Sequence, residues 1–265
     1  MSTKVCGFDP GRYNAQTGRI YPMSHDSRAI FDEIVQSRRS VRVFESDPIP
    51  ESDVEKVLEW SLLAPHSSNL QVWKFYWVEE KHSRDELIKA CFSQSAARSA
   101  PVLIVCTARP HLATRQGQRM FEALLEQKNK GQEVPKALLD YYGKLVPLVY
   151  GQGPLGVLGL LRRLLVTIVG LFRVVPRFPH SPTELREWAV KSAALACENM
   201  MLGFRALGYD SCPMEGFDEN RVKSLLKLER QERVVMVVGA GRRSPKGVWG
   251  ERFRFPSSEF IKRIR

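Results

Sequence analysis

The residues best suited to chemistry lie in four short stretches. The first is Ser37-Arg38-Arg39-Ser40-Val41-Arg42-Val43-Phe44. A guanidinium offers a rigid fork of donors that matches phosphate oxygens, and a serine hydroxyl adds one more. The same cations could instead complement the partial negative charge at a helix C-terminus. The second stretch is the tail Trp249-Gly250-Glu251-Arg252-Phe253-Arg254-Phe255-Pro256. If extended, it puts Arg252 and Arg254 on one side; a solvated basic tail is the plainer alternative.

The third stretch is Ala64-Pro65-His66-Ser67-Ser68-Asn69-Leu70-Gln71-Val72-Trp73. Asn69 and Gln71 each donate and accept, so they can read the edge of a heteroaromatic ring. An ordinary turn leading to a core tryptophan would look the same. His66 lies beside two serines but has no acidic neighbour in sequence, and no G-x-S-x-G elbow occurs, which disfavours a hydrolytic triad. The fourth stretch is Ser211-Cys212-Pro213-Met214-Glu215-Gly216-Phe217. It is either a tight turn or a place where Gly216 lets a ligand approach the main chain.

The surrounding pattern supplies the elements that position these residues. Residues 1–26 read as an extended arm, and 27–265 as a single domain. A helix capped by Asp26 or Ser27 places Ile30, Phe31, Ile34 and Val35 on one face. The next turns Val54, Val57, Leu58, Ser61 and Leu62 inward and stops at Ala64-Pro65. Strands are predicted over Trp73–Val78, Pro101–Cys106 and Val234–Val238, the last two buried on both faces. Helices are predicted over Ser83–Arg98, His111–Lys130 and Pro135–Leu145. Ser181-Pro182-Thr183-Glu184 is a capping box that opens a long helix, with Trp188, Ala193, Leu195 and Met200 among its apolar positions and Gly208 ending it. Asp218 caps a short helix. The alternation predicts helices covering a sheet, an α+β or mixed α/β domain.

Composition narrows the function classes. The net charge is +11 with 43% hydrophobic residues, a globular balance. No zinc-finger spacing or RNP-like pattern accompanies the charge, so nucleic acid is not an expected partner. Cys6, Cys91, Cys106, Cys197 and Cys212 are odd in number and lack a C-x-x-C pair, which argues against disulfides and metal and for a reducing cytosol. The N-terminus has no apolar signal core.

Taken in order, the four stretches resemble the FMN-dependent nitroreductase family. Arg38-Arg39-Ser40 with Phe44 matches its opening pattern. Pro65, Asn69, Gln71 and Trp73 match its Pro-x-x-x-Asn-x-Gln-Pro-Trp pattern, with Val72 in place of the usual proline. Pro213, Glu215, Gly216 and Phe217 match a third. The resemblance runs from about Ile30 to Arg109 and from about Glu184 to Pro256.

It implies a nitroreductase-like α+β fold with a central mixed, mostly antiparallel sheet flanked by helices, in an intertwined homodimer with two FMN sites. Arg38, Ser40, Arg252 and Arg254 would hold the phosphate, with Arg39 near the ribityl chain or phosphate and Arg42 at the N1 and O2 side. Asn69 would bond the pyrimidine edge, with Gln71 beside it. The main chain from Pro213 and Met214 to Glu215 and Gly216 would pass the ring, the last two facing N5. Pro65, His66 and Ser67 would come from the partner subunit. NADH or NADPH would reduce FMN, and a nitroaromatic, quinone or enone would take the electrons in a second step. The flavin carries the redox chemistry, so no catalytic side chain is nominated. A reductive dehalogenase or flavin-cleaving enzyme of the same superfamily, or a membrane-surface interaction protein on a flavoprotein scaffold, are the alternative readings.

One region departs from the pattern. Between Tyr141 and Thr183 there is no aspartate or glutamate, and Leu155–Arg173 is apolar around Arg162-Arg163. The insert at about 145–180 reads as a helical pair capping the site or widening the dimer contact, or as a basic apolar segment on an anionic membrane through 155–175. A span is disfavoured, because about 20 uncharged residues are needed. The expected location is thus cytoplasmic, or peripheral to the inner face of a membrane, where a lipid-soluble quinone becomes the better acceptor. Gly151-Gln152-Gly153-Pro154-Leu155-Gly156 fits G-x-G-x-x-G, but no acid follows before Glu184 and Pro154 stands where the helix should start. A dinucleotide-binding reading is rejected.

Overall fold

The computed structural model describes residues 25–153 and 157–265. Most of the expected arm, Cys6 and the end of the glycine-rich decoy lie outside them. The chain divides into two units, Met1–Ser37 and Arg38–Arg265. The described part of the first is helix α1 (His25–Ser37), which starts a residue or two before the expected caps. Its Ile30 and Phe31 are exposed.

The second unit is built on a four-stranded antiparallel sheet of β1 (Trp73–Trp77), β2 (Val102–Ala108), β3 (Asp210–Met214) and β4 (Arg233–Gly241), in the order β1-β2-β4-β3. All named strand pairs are antiparallel, and the parallel part of the expected mixed sheet shrinks to an isolated bridge between Ser40 and Ser211. Every residue of β2 is buried, because helices cover both of its faces. Leu103 and Val105 pack with Leu87 and Ala90 of α3 (Lys81–Ala90), Ala96 and Ala97 of α4 (Ser95–Ser99) and Val222 of α10 (Glu219–Leu225). Val102, Ile104 and Cys106 point the other way, onto α2 (Glu51–Leu62) and α9 (Pro182–Ala206). Period-2 alternation sends neighbours to opposite faces, so a run apolar at every position requires two covers.

Four expectations are corrected. The helix over Ser83–Arg98 is broken, because Phe92 and Ser93 take φ of 55° and 49°. Such a left-handed pair ends α3, and the chain restarts at α4. The 211–217 stretch is not only a turn: its first half is β3, where Pro213 is tolerated because β3 is an edge strand. Leu62, expected to turn inward, is 49% exposed on α2 although that helix packs against α9. The helix predicted to end at Leu145 continues through a wide π turn at Tyr141–Leu145 into α7 (Val146–Tyr150), after α5 (Ala113–Asn129) and α6 (Lys136–Asp140). The capping box forms in altered shape: Ser181 Oγ accepts from Glu184 N at 3.1 Å, while the Glu184 carboxylate accepts from His180 N. α8 (Val157–Val169) is the body of the insert.

Candidate functional site

The Arg38–Phe44 stretch is strung along the end of the sheet by main-chain bonds on both sides. Val41 N donates to Ser211 O at 3.0 Å and Arg42 N to Gly247 O at 2.7 Å, while Ser244 N donates to Val43 O at 3.1 Å. Val41 and Phe44 are buried in the core. These pins fix the segment and leave its cations on the rim.

The tail returns to the same place. Arg39 Nη2 donates to Gly250 O at 3.0 Å, and Arg252 Nη2 donates to the carbonyl oxygen of Arg38. The Arg42 guanidinium lies over the Trp249 ring, 4.8 Å from its centroid, a cation–π contact that holds it in place. Gly250 has φ of 69°, which lets the chain turn back without a Cβ penalty. Together Arg38, Arg39, Ser40, Arg42, Glu251, Arg252, Phe253 and Arg254 line one cavity of about 160 Å³. Two segments from near opposite ends of the sequence therefore build a single cradle.

Its electrostatics are those of an anion site. Among the described residues none of these five arginines pairs with a carboxylate, and Glu251 is the one acid on the wall. Desolvation first, then the charges of Arg254, Arg39 and Arg38, hold the Arg252 guanidinium below its ordinary pKa. Like charges gathered on one wall repel one another, and an anion bound among them offsets that repulsion. The donor set fits a phosphate monoester such as that of FMN.

β3 borders the cradle through the Ser40–Ser211 bridge. Burial raises the Cys212 thiol pKa, with Arg42 and Arg38 pulling against it. The Met214 side chain is buried in the core, whereas Pro213, paired with Val238 in the sheet, keeps its ring half-buried. Glu215 and Gly216 are exposed, and Gln94 Nε2 donates to Gly216 O at 2.6 Å. Gln94, the residue that restarts the chain after the left-handed break, was not anticipated from sequence. Gly216 is not in the left-handed region; the nearest thing to a Cβ built there is Gln94 Nε2 at 3.2 Å. Its lack of a side chain leaves the loop surface bare.

In the 65–71 loop exposure alternates. Pro65, Ser67, Asn69 and Gln71 point outward, while His66, Ser68 and Leu70 turn in. Ser68, Asn69 and Gln71 all have positive φ, at 56°, 47° and 46°. Three left-handed non-glycine residues in so short a run cost free energy and require outside support. A tyrosine trio supplies it: Ser68 Oγ lies 2.6 Å from Tyr141 Oη and 3.0 Å from Tyr150 Oη, and Tyr142 Oη donates to Ser68 O at 3.0 Å. Gln71 Nε2 donates to Asn69 Oδ1 at 3.0 Å.

His66 is spent within its own chain. Its Nε2 accepts from Val72 N at 3.1 Å and its Nδ1 lies 2.8 Å from Ser67 O, the pattern of a neutral ring protonated at Nδ1. Burial between Trp73 and Trp188, with centroids at 4.9 and 5.1 Å, lowers its pKa. These contacts make His66 a shaper of the loop, through which it would be presented to the site of a partner subunit. Among the described residues the cradle wall holds no residue of this loop, so the cradle and the loop do not share that cavity.

Fold and cradle together define an α+β domain with an arginine-lined cavity at one end of its sheet. A model of the Nitroreductase family matches residues 35–242, and the chain belongs to that family. The curated relative MhqN of Bacillus subtilis, designated an NAD(P)H nitroreductase, is 26% identical over 240 residues, covering 88% of this chain and 98% of the relative. Among solved structures, a B. subtilis nitroreductase, ydfN, aligns at TM-score 0.70 and 24% identity over 89% of this chain and all of its own. A nitroreductase of Exiguobacterium sibiricum, solved in complex with FMN, aligns at TM-score 0.63 and 22% identity, covering 88% and 97%. Arg252 and Arg254 lie beyond the family match.

Proposed function

We propose that this chain is an FMN-dependent NAD(P)H oxidoreductase that reduces nitroaromatic, quinone or enone acceptors as a homodimer. The observation that carries this reading is the convergence of Arg38, Ser40, Arg252 and Arg254 on one cavity beside the edge strand β3. FMN, when bound, would supply the redox chemistry, two-electron transfer between NAD(P)H and the acceptor. The protein supplies position and charge.

Arg38, Ser40, Arg252 and Arg254 hold the phosphate, with Arg39 at the ribityl side. Arg42, fixed over Trp249, would supply a cation on the N1 and O2 side of the ring, favouring the anionic reduced flavin. The exposed main chain at Glu215 and Gly216, braced by Gln94, would lie on the N5 side of the ring. Pro65, His66 and Ser67 lie on a braced loop suited to completing the site of a second subunit, while exposed Asn69, with Gln71 beside it, would bond the pyrimidine edge of the ring. Exposed Leu62, Leu63 and Leu195 offer apolar surface for that dimer.

The test is an absorption spectrum of purified protein followed by anaerobic NADPH or NADH. Flavin bands that bleach on addition and return with a quinone support the proposal. Colourless protein that neither takes up FMN nor oxidises NAD(P)H would leave a binding role on a flavoprotein scaffold instead.

A further inference from the structure

Helix α8 presents leucines outward and an arginine inward. Leu160, Leu161, Leu164, Leu165 and Ile168 are 68%, 58%, 61%, 61% and 52% exposed. Gly159 is buried, and Arg162, Val166 and Val169 are partly buried. At 3.6 residues per turn these two sets occupy opposite sides of the helix, so the apolar stripe faces directly away from the protein.

The inverted arrangement is held by contacts on the underside. Arg162 Nη1 donates to the carbonyls of Leu148 and Gly151, Nη2 to Pro179 O at 2.7 Å, and Nε to His180 Nδ1 at 3.4 Å. A Cβ at Gly159 would lie 2.1 Å from His180 O, so only glycine allows this close approach. The Arg162 fork fixes the helix's rotation. On the outer side Thr167 Oγ1 donates to Arg163 O at 2.8 Å, which removes a polar proton from the stripe.

The surface continues past the helix. Leu171, Phe172 and Val174 are 74%, 83% and 105% exposed. An open groove of about 400 Å³ runs through 170–177, with Arg173 and Arg177 on its wall. Arg163 and Arg173 are exposed beside the stripe, and no acid occurs between Tyr141 and Thr183.

We propose that α8 and the turn after it form a docking surface for an anionic lipid bilayer. The stripe enters the acyl region, and Arg163, Arg173 and Arg177 meet lipid phosphates. Charge selects this occupant: a second copy of the chain also carries net charge +11, and stripe-to-stripe contact would bring arginines together with no carboxylate between them. Length excludes a span. Thirteen residues extend about 20 Å against a hydrocarbon core of about 30 Å, and no described helix is long and apolar enough to cross a membrane.

Flotation of the flavin-loaded protein with vesicles tests the proposal. Wild type floats with equimolar phosphatidylglycerol and phosphatidylcholine and stays behind with phosphatidylcholine alone. L164S/I168S partitions at least about a hundredfold more weakly, about tenfold per apolar side chain removed. R163E/R173E loses the preference for the anionic vesicles. Bound flavin and circular dichroism stay the same in both variants, because all four side chains are exposed or outward. The proposal is overturned if wild type does not float, or if L164S/I168S floats like wild type. It is also overturned if the wild type stays behind while L164S/I168S breaks an oligomer in lipid-free buffer, which would make a second copy the occupant. None of these outcomes depends on turnover, so failure of the redox reading would be visible separately.

Discussion

Replacing Arg252 by alanine isolates the cradle's contribution. Five guanidiniums and one carboxylate line the cavity, so a phosphate carrying about −1.5 to −2 charges enters a site of net positive potential. One charge-assisted hydrogen bond is worth about 1.5–3 kcal/mol. Arg252 is only partly buried and the rim is open to salt, so the lower end applies, about tenfold in affinity. The assay is quenching of flavin fluorescence on titration into apoprotein, with FMN and riboflavin side by side. FMN binding weakens about tenfold in R252A at low salt, and wild-type affinity for FMN falls as salt rises. Riboflavin has no phosphate, so its affinity is unchanged. Equal losses for both ligands, or no loss for FMN, would refute the assignment of Arg252 to the phosphate.

Other consequences concern the frame around the site. The folded pKa of His66 lies below its ordinary value, so the stabilisation from keeping this ring neutral is present above about pH 6.5 and is lost as pH falls below it. Thermal midpoints of H66Q should therefore fall less steeply between pH 7 and pH 5 than those of wild type, a range of about two units around the ordinary histidine pKa; parallel curves would contradict the neutral assignment. Tyr76 Oη donates to Glu232 Oε1 at 3.0 Å, and Glu232 is 2% exposed. Y76F leaves that carboxylate short of a donor and costs about 1–3 kcal/mol by urea denaturation. Gly208 has φ of 84° with open space around it, so G208A meets no clash but costs about 1–2 kcal/mol, read as a lower melting temperature. Burial raises the Cys91 thiol to about 11 and Cys106 well above its ordinary value; iodoacetamide at neutral pH should modify both only after unfolding.

Much of this was legible in the residues because it depends on local pattern. The continuous apolar run at Val102–Cys106 specified a strand covered twice, and the Ser181 box and Gly208 marked the ends of α9. The cradle was foreshadowed by the family resemblance, which implied that arginines of two distant stretches share one phosphate; the arginines alone left a helix end and a solvated tail as equal readings.

What sequence did not disclose depends on tertiary supply. The left-handed break at Phe92-Ser93 has no glycine to announce it, so Gln94 could not be placed beside Gly216. The tyrosines that brace the 66–71 loop are more than seventy residues away in sequence. The two tryptophans that pack on His66 come from β1 and α9, so its burial was not readable from the loop's own sequence. For α8, composition gave an apolar segment interrupted by arginines, but not the direction of its apolar face. That direction is set by backbone carbonyls at Leu148, Gly151 and Pro179, which no periodicity reveals.

A crystal structure of the protein grown with FMN measures the central claim directly. The account predicts phosphate oxygens within about 3 Å of guanidinium nitrogens from both Arg38 and Arg252, with the ring passing Gly216. Phosphate density held elsewhere, with both guanidiniums turned to solvent, would contradict it.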